Sequence, residues 1–183
     1  MKLATDFWPK IKTKLKVIAN IPYNITTPIL ENIIANKDKV SLIILMVQKE
    51  VAERLQASPD NKSYGSLSIY AQYHMEVEML TEVSRNCFYP IPKVDSALIK
   101  LKPWAKPQVQ VSAEDKFFKI VRSAFWGRRK TLRNTLKQSP YTHYTNEMLR
   151  AIQEKTGIDL QRRGETLSLQ EFAEITNSLF PNV

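Results

Sequence analysis

The first hundred residues alternate between short β-rich runs and helical segments. Residues 16–19 form a β-rich run that stops at Asn20-Ile21-Pro22-Tyr23. Residues 40–47 are almost continuously apolar, which is typical of a strand buried on both faces. Residues 75–80 alternate between apolar and polar positions, and residues 96–101 do so more weakly. Alternation predicts strands with one solvated face.

Helical segments separate these predicted strands. Thr27-Pro28 predicts a helix N-cap followed by proline at the first helical position. Residues 49–55 and 67–73 predict two further short helices. The order strand, helix, strand, helix, strand, strand is that of the tail of an α/β layered sheet.

The pattern changes after Pro103 and Pro107, which mark a linker with the polar residues between them. Beyond this linker only helices are predicted, over residues 113–126, 130–137, 145–155 and 169–179. The sequence therefore predicts two domains, an α/β part over residues 1–105 and a small all-α part over residues 106–183.

Composition excludes several classes of protein. The 183 residues contain only four glycines, too widely spaced for either a GxGxxG or a GxxxxGK[ST] nucleotide loop. Cys87 is the single cysteine and the two histidines are far apart, so no metal site is predicted. No apolar stretch is long enough to span a bilayer, and no signal peptide is recognisable. These features predict a cytoplasmic protein without a membrane partner.

Charge adds a candidate partner. The formal net charge is +9, and residues 116–137 contain eight basic residues and no acidic one. A solvated surface normally mixes both signs, so this run favours binding to a nucleic-acid backbone. If the chain is helical from Lys130 onward, Arg129, Arg133 and Lys137 form one stripe, and Leu132 and Leu136 pack inward. The predicted nucleic-acid-binding residues are Arg122, Arg128, Arg129, Lys130, Arg133 and Lys137.

The segment Asn20-Ile21-Pro22-Tyr23 suits one chemical task, although by itself it also fits a simple strand-ending turn. It follows a predicted strand, at the edge where open α/β sheets bind ligands. The exocyclic amine of adenine is a poor nucleophile because its lone pair is drawn into the ring. An amide oxygen and a backbone carbonyl accept its two N–H bonds, and an aromatic ring stacks on the extruded base.

A second aromatic segment, residues 88–96, has the sequence Phe-Tyr-Pro-Ile-Pro-Lys-Val-Asp-Ser and lies between two predicted strands. Its prolines stiffen the loop. It is either a structural turn whose rings fill a gap in the core, or the opposite wall of a base pocket. In the second case Phe88 stacks on the face that Tyr23 does not cover.

Together and in this order, these segments resemble the ribosomal-RNA adenine dimethyltransferase family, and the helical extension resembles its small-subunit branch. The resemblance runs from about Lys16 to about Leu179. It is carried by residues 17–29, 46–55 and 64–68, by the loop 88–96, and by Arg128-Arg129-Lys130-Thr131-Leu132-Arg133-Asn134.

The resemblance implies transfer of methyl groups from S-adenosylmethionine to two neighbouring adenines of small-subunit ribosomal RNA, free or in an assembling subunit. It implies that Asn20 contacts the amine and the cofactor's methionine end. It further implies that Ile21 and Pro22 contribute carbonyls, and that Tyr23 and Phe88 sandwich the base. The implied fold is the C-terminal portion of a Rossmann-like S-adenosylmethionine-dependent methyltransferase sheet followed by a small all-α domain.

One departure from the family concerns its cofactor-binding half, which carries a Gly-rich turn that this chain lacks. We expect an N-terminal truncation of about three βα units of roughly 30 residues each. We also expect this chain alone to bind S-adenosylmethionine poorly. Two alternatives stay open: a non-catalytic RNA- or ribosome-binding module, and DNA binding through a helix-turn-helix.

Overall fold

The computed structural model of the chain describes residues 7–127 and 129–181. The chain divides into two units. We call them the sheet unit, residues 1–56 and 74–106, and the helical unit, residues 57–73 and 107–183.

Among its described residues the sheet unit contains four strands, β1 (Leu15–Asn20), β2 (Val40–Gln48), β3 (Met75–Val83) and β4 (Ser96–Pro103). They lie in the order β1-β2-β4-β3. Strands β1 and β2 are parallel, whereas β4 runs antiparallel to both β2 and β3. All four predicted strands are therefore confirmed, and the mixed α/β class with them.

The expectation that β2 is buried on both faces was wrong. Its side chains alternate, with Ile43, Leu45 and Val47 buried and the residues between them only partly covered. Ile44 pairs with Ile18 of β1, whose side chain is 74% exposed. One face of this part of the sheet therefore remains accessible, although the sequence of β2 is apolar throughout.

The described residues of the sheet unit include two α-helices, α1 (Thr26–Ala35) and α2 (Lys49–Gln56). Helix α2 agrees with its prediction. The start of α1 differs, because Thr27 is already helical and Pro28 is the third helical residue. A 3₁₀ turn over Tyr23–Ile25 leads directly into the helix. The buried Thr26 hydroxyl donates to the carbonyls of Pro22 and Tyr23, at 3.3 Å each.

The helical unit has five helices among its described residues. They are α3 (Ser66–His74), whose last residue belongs to the sheet unit, α4 (Glu114–Phe125), α5 (Leu132–Gln138), α6 (Asn146–Thr156) and α7 (Leu169–Leu179). Phe117 and Phe172 are fully buried in their common core. No helix in the described part of the chain is long and apolar enough to cross a membrane.

The chain divides between residues 106 and 107, close to the predicted boundary, but residues 57–73 also belong to the helical unit. Tyr64, Ile69 and Tyr73 are buried in the core of that unit. The Tyr64 hydroxyl donates to the carbonyl of Leu167 at 2.9 Å. Burial and the neighbouring carboxylate of Glu114 raise the pKa of Tyr73 to about 12. Tertiary packing thus overrides position along the chain.

Glycine is required where α4 meets the turn before α7. A Cβ built on Gly164 lies 2.6 Å from the carbonyl oxygen of Ala124, which is backbone and cannot swing aside. At Gly127 the equivalent atom lies 3.1 Å from the flexible side chain of Lys130. Only the first position therefore depends on the absence of a side chain.

Candidate functional site

The turn that follows β1 is held by neighbouring strands. Asn20 is the last strand residue and is exposed, whereas Ile21 is buried and its amide donates to the carbonyl of Met46 at 3.4 Å. The Tyr23 hydroxyl lies 2.6 Å from the hydroxyl of Ser96, which is fully buried at the start of β4. The Tyr23 ring is thus fixed at both ends, by its backbone turn and by this hydrogen bond.

The carbonyl of Pro22 is already occupied. It accepts from the amide of Ile25 at 3.2 Å and from the hydroxyl of Thr26 at 3.3 Å. A carbonyl oxygen has two lone pairs, and the Ile25 amide uses one of them while the single Thr26 proton is shared with the carbonyl of Tyr23. The implied role of accepting an adenine amine therefore fits the carbonyl of Ile21 better than that of Pro22.

The loop after β3 is anchored by Asp95. Its carboxylate accepts from the backbone amide of Arg85 at 2.9 Å, and its carbonyl accepts from the amide of Lys49 at 3.0 Å. The Arg85 guanidinium also reaches the carbonyl of Lys93 at 3.4 Å. The 3₁₀ turn Arg85–Cys87 is capped by the Ser84 hydroxyl, which places Phe88 at the turn's end. These bonds close residues 85–95 into a defined wall.

The turn and the loop border an open cavity of about 350 Å³. Such a volume lies within the range of small-molecule sites. Its lining includes all five residues predicted to act on the acceptor base. The lining residues are Asn20, Ile21, Pro22, Tyr23, Phe88, Tyr89, Pro90 and Pro92.

The chemistry of this cavity is limited by its lining. None of the eight residues carries a carboxylate, an imidazole or an amine. The cavity therefore offers amide and carbonyl acceptors together with aromatic and proline surfaces. Tyr89 is fully exposed, whereas Phe88 is partly buried. This combination suits a flat, neutral, hydrogen-bonding ring and does not supply a general base.

Charged groups flank the cavity rather than line it. The Lys49 ammonium donates to the carboxylate of Glu82 at 2.8 Å, and that hydrogen bond is the main reason why the pKa of Lys49 is raised. Glu53 and Asp95 raise it further. The ammonium therefore stays protonated and is paired with these carboxylates.

The predicted RNA-binding residues lie on and after α4. Arg122 is exposed near the end of this helix, and Arg129 and Lys130 are exposed in the turn that follows it. Arg133 and Lys137 lie on α5. Arg128 lies outside the described residues. The other five predicted residues have no carboxylate oxygen within 4 Å of their charged nitrogens among the described residues of the chain.

The predicted stripe of Arg129, Arg133 and Lys137 was wrong. Helix α5 begins at Leu132, because the Thr131 hydroxyl caps it by accepting from the amide of Asn134. Arg129 therefore precedes the helix and is out of register with it. Arg133 and Lys137 remain one helical turn apart, and both donate to the side-chain oxygen of Asn146, at 3.3 and 3.4 Å.

The inward packing of Leu132 and Leu136 is confirmed, since both are fully buried. Nearby, the pKa of Glu147 is lowered, first by its hydrogen bond with the Thr145 side chain and to a smaller extent by Lys137. This carboxylate therefore stays ionised and bounds the basic surface on the side of α6.

Sequence reasoning missed two residues. Ser96 was treated as the end of the aromatic loop, and only the structure shows that it fixes Tyr23. Trp126 was treated as a helix end, yet the residue is 46% exposed and its ring lies beneath the ammonium of Lys130. A tryptophan inside a run of basic residues was the available signal for the second. No sequence signal links positions 23 and 96.

Comparison with known proteins identifies similar chains. The family model for ribosomal RNA adenine dimethylase matches residues 2–176. Ribosomal RNA small subunit methyltransferase A of Clostridium botulinum (strain Loch Maree / Type A3) is 44% identical over 169 residues, which cover 92% of this chain and 60% of the relative. The protein of the same name from Bacillus mycoides (strain KBAB4) is 49% identical over 164 residues, covering 89% and 56%. The chain thus spans about three-fifths of the length of these relatives.

Solved structures agree with the fold. A dimethyladenosine transferase from Plasmodium falciparum superposes with a TM-score of 0.74 at 26% identity, covering 91% of this chain and 68% of that one. The 23S rRNA methyltransferase ErmE superposes with a TM-score of 0.66 at 21% identity, covering 92% and 66%. Because the identity to ErmE is only 21%, this second likeness supports the Rossmann-like fold and nothing about function.

Proposed function

The chain belongs to the ribosomal RNA adenine dimethylase family, and from this membership we propose that it is the acceptor-binding part of a small-subunit rRNA adenine dimethyltransferase. In this proposal the sheet unit binds an adenine extruded from the RNA, and the helical unit binds the RNA backbone. Methyl groups are transferred to the exocyclic amines of two adjacent adenines. The cytoplasm, where small ribosomal subunits assemble, is the expected compartment.

The cavity beside β1 is the observation that carries the proposal. Five residues from two separate segments, Asn20–Tyr23 and Phe88, line the same 350 Å³ space. An adenine inserted there meets polar acceptors at its edge and rings at its faces. Enzymes that modify a base in this way extrude it into a pocket of hydrogen-bonding and stacking groups.

The acceptor groups act on the lone pair of the adenine amine. The side-chain oxygen of Asn20 and the carbonyl of Ile21 accept the two N–H bonds. The amine lone pair is then turned out of conjugation with the ring and faces away from both acceptors. Preorganised acceptors of this kind stabilise the positive charge that develops on nitrogen during methylation.

The methylated amine loses its proton without help from a basic side chain. A cationic amine attached to an adenine ring is acidic enough to protonate water or a nearby carbonyl. The cavity lining, which lacks carboxylate and imidazole groups, agrees with this requirement. Tyr23 and Phe88 hold the base by stacking, and Ser96 fixes the position of Tyr23 through its hydrogen bond.

The proposed methyl donor is S-adenosylmethionine, which supplies an electrophilic methyl group when bound. Asn20 is the lining residue that suits contact with the donor, because its exposed amide follows the end of β1. The other lining residues are apolar or aromatic, apart from the Tyr23 and Tyr89 hydroxyls, and fit the acceptor base instead.

A labelling experiment tests the function. The chain is joined to the part of the Clostridium botulinum relative that lies outside the match, and is incubated with radiolabelled S-adenosylmethionine and unmethylated small subunits. We expect label in N6,N6-dimethyladenosine after digestion of the RNA to nucleosides. Label in another nucleoside, or none despite RNA binding, contradicts the proposal. Large-subunit RNA is the matched control and should remain unlabelled.

A further inference from the structure

The turn between α4 and α5 displays an exposed indole on the helical unit. Trp126 ends α4, its amide donating to the carbonyl of Ser123 at 3.1 Å, and 46% of the residue is accessible. Among the described residues of this unit, Tyr141, at 44%, is the only other large apolar side chain that is exposed. Two such side chains are too few to form the large apolar patch that marks a protein or membrane interface.

Lys130 is held over this ring by three contacts. Its ammonium lies 4.7 Å from the ring centroid and donates to the side-chain oxygen of Gln138 at 3.0 Å. Its backbone amide donates to the carbonyl of Gly127 at 2.9 Å. The lysine stem also runs so close to Gly127 that an added Cβ would lie 3.1 Å from it. The indole of Trp126 and the ammonium of Lys130 therefore lie side by side in this turn.

The charge around the ring narrows the choice of partner. Arg122 and Arg129 are exposed on either side of Trp126 in the sequence, and residues 116–137 include no acidic residue. A second copy of the chain would bring like charges together, and one ring is too small an apolar area to hold a membrane or an apolar protein surface. An unpaired nucleotide fits this arrangement, because its base can stack on the Trp126 ring and its phosphate can bind the Lys130 ammonium.

We propose that Trp126 is a stacking platform for an unpaired base of the RNA and that Lys130, beside the ring, contacts the adjacent phosphate. This inference rests on the RNA binding proposed above. It assigns a base contact to a surface otherwise composed of backbone-binding cations. Base stacking on aromatic side chains is tolerant of sequence and contributes independently of salt, whereas phosphate contacts weaken as salt rises.

Salt titration separates the two contributions. The affinity of the unaltered chain for single-stranded RNA is measured over a range of salt concentrations and compared with that of three variants. Trp126→Leu should lower the affinity about tenfold at every salt concentration with an unchanged slope. Trp126→Phe should retain most of the affinity. Lys130→Gln should reduce the slope by about one phosphate contact.

Tyr141→Leu is the matched control, because it removes an equally exposed ring from the same unit. Its affinity should stay within about twofold of that of the unaltered chain. An equal loss in this variant, or no loss in Trp126→Leu, overturns the assignment of the platform to Trp126. If the unaltered chain binds no RNA, the function proposed above fails as well. If the unaltered chain binds RNA and Trp126→Leu binds it equally well, the proposed RNA binding stands and the stacking inference alone fails.

Fluorescence gives a direct readout of stacking. The chain has three tryptophans, so the variant Trp8→Phe/Trp104→Phe leaves Trp126 as the only indole. Single-stranded RNA should quench its emission, whereas an abasic ribose-phosphate strand of equal length should bind without quenching. Equal quenching by both strands overturns the proposal, because it would arise from the backbone and not from a stacked base.

Discussion

The cavity of the sheet unit and the basic surface of the helical unit are built on opposite principles. The cavity is lined by neutral groups, and hydrogen bonds through Ser96 and Asp95 hold its walls. The basic surface carries cations such as Arg122 and Arg129, exposed and without a carboxylate within 4 Å in the described parts of the chain. Chemistry on a base needs fixed geometry, whereas backbone binding needs uncompensated charge. Substitutions in the cavity should therefore change turnover, and those on the surface should change salt-dependent affinity.

Asn20→Ala should give the largest effect. Loss of one preorganised acceptor is expected to reduce single-turnover methyl transfer about 100-fold or more in the complete protein used for the labelling experiment. RNA affinity should change less than about twofold, because the cations are untouched. Asn24→Ala is the matched control, since Asn24 is exposed in the same turn and does not line the cavity. A parallel loss of RNA affinity in Asn20→Ala would abolish the distinction between the two regions.

Gly164→Ala tests whether the close packing of the helical unit tolerates an added methyl group. The added methyl group meets the backbone of Ala124, so we expect a loss of about 1–3 kcal/mol in the free energy of unfolding. Gly127→Ala meets only a flexible lysine side chain and should cost less than about 1 kcal/mol. Chemical denaturation of both variants checks this. Equal midpoints would show that the α4 contact tolerates a side chain.

Replacing Arg133 and Lys137 together by alanine tests the charge side of the comparison. The double variant should bind RNA about tenfold more weakly. The slope of its log affinity against log salt concentration should fall by the equivalent of up to two phosphate contacts. Lys155→Ala/Arg163→Ala removes the same charge elsewhere, where Lys155 already donates to Ser178 and Arg163 lies 3.9 Å from Glu165. Equal losses from the two pairs would mean that net charge, and not this surface, governs binding.

Ser96→Ala should give the smallest effect. It removes the hydrogen-bond partner of Tyr23, and a net contribution near 1 kcal/mol corresponds to about a fivefold slower methyl transfer at unchanged RNA affinity. Tyr23→Phe should cost a similar amount, and the double variant should cost no more than either single one. Additive losses would show that the two hydroxyls act separately.

The sequence predicted well what depends on local pattern. The four strands, helix α2 and the inward packing of Leu132 follow from periodicity, and the structure confirms them. Asn20 and Phe88 were predicted to face one base, and they line one cavity, although their roles remain predictions. Their residue types and their places at strand ends made this possible.

The parts that sequence reasoning missed depend on contacts between distant residues. The Tyr23–Ser96 hydrogen bond joins positions 73 residues apart, and nothing in either neighbourhood indicates it. The cap at Thr131 moved the start of α5 by two residues, which was enough to remove Arg129 from the predicted stripe. Helical register is lost with so small a shift because successive residues point about 100° apart.

Residues 57–73 pack in the helical unit although they precede β3 and β4 of the sheet unit in the chain, and this order has a consequence for synthesis on the ribosome. All four strands have been made once Pro103 emerges, so the sheet can pair early. Tyr64 and Tyr73 must wait for their ring partners Phe125 and Phe117, which are translated about 60 and about 45 residues later, or about 2–12 s at usual elongation rates. During that interval the nascent chain exposes an aromatic segment whose packing partners have not yet been made.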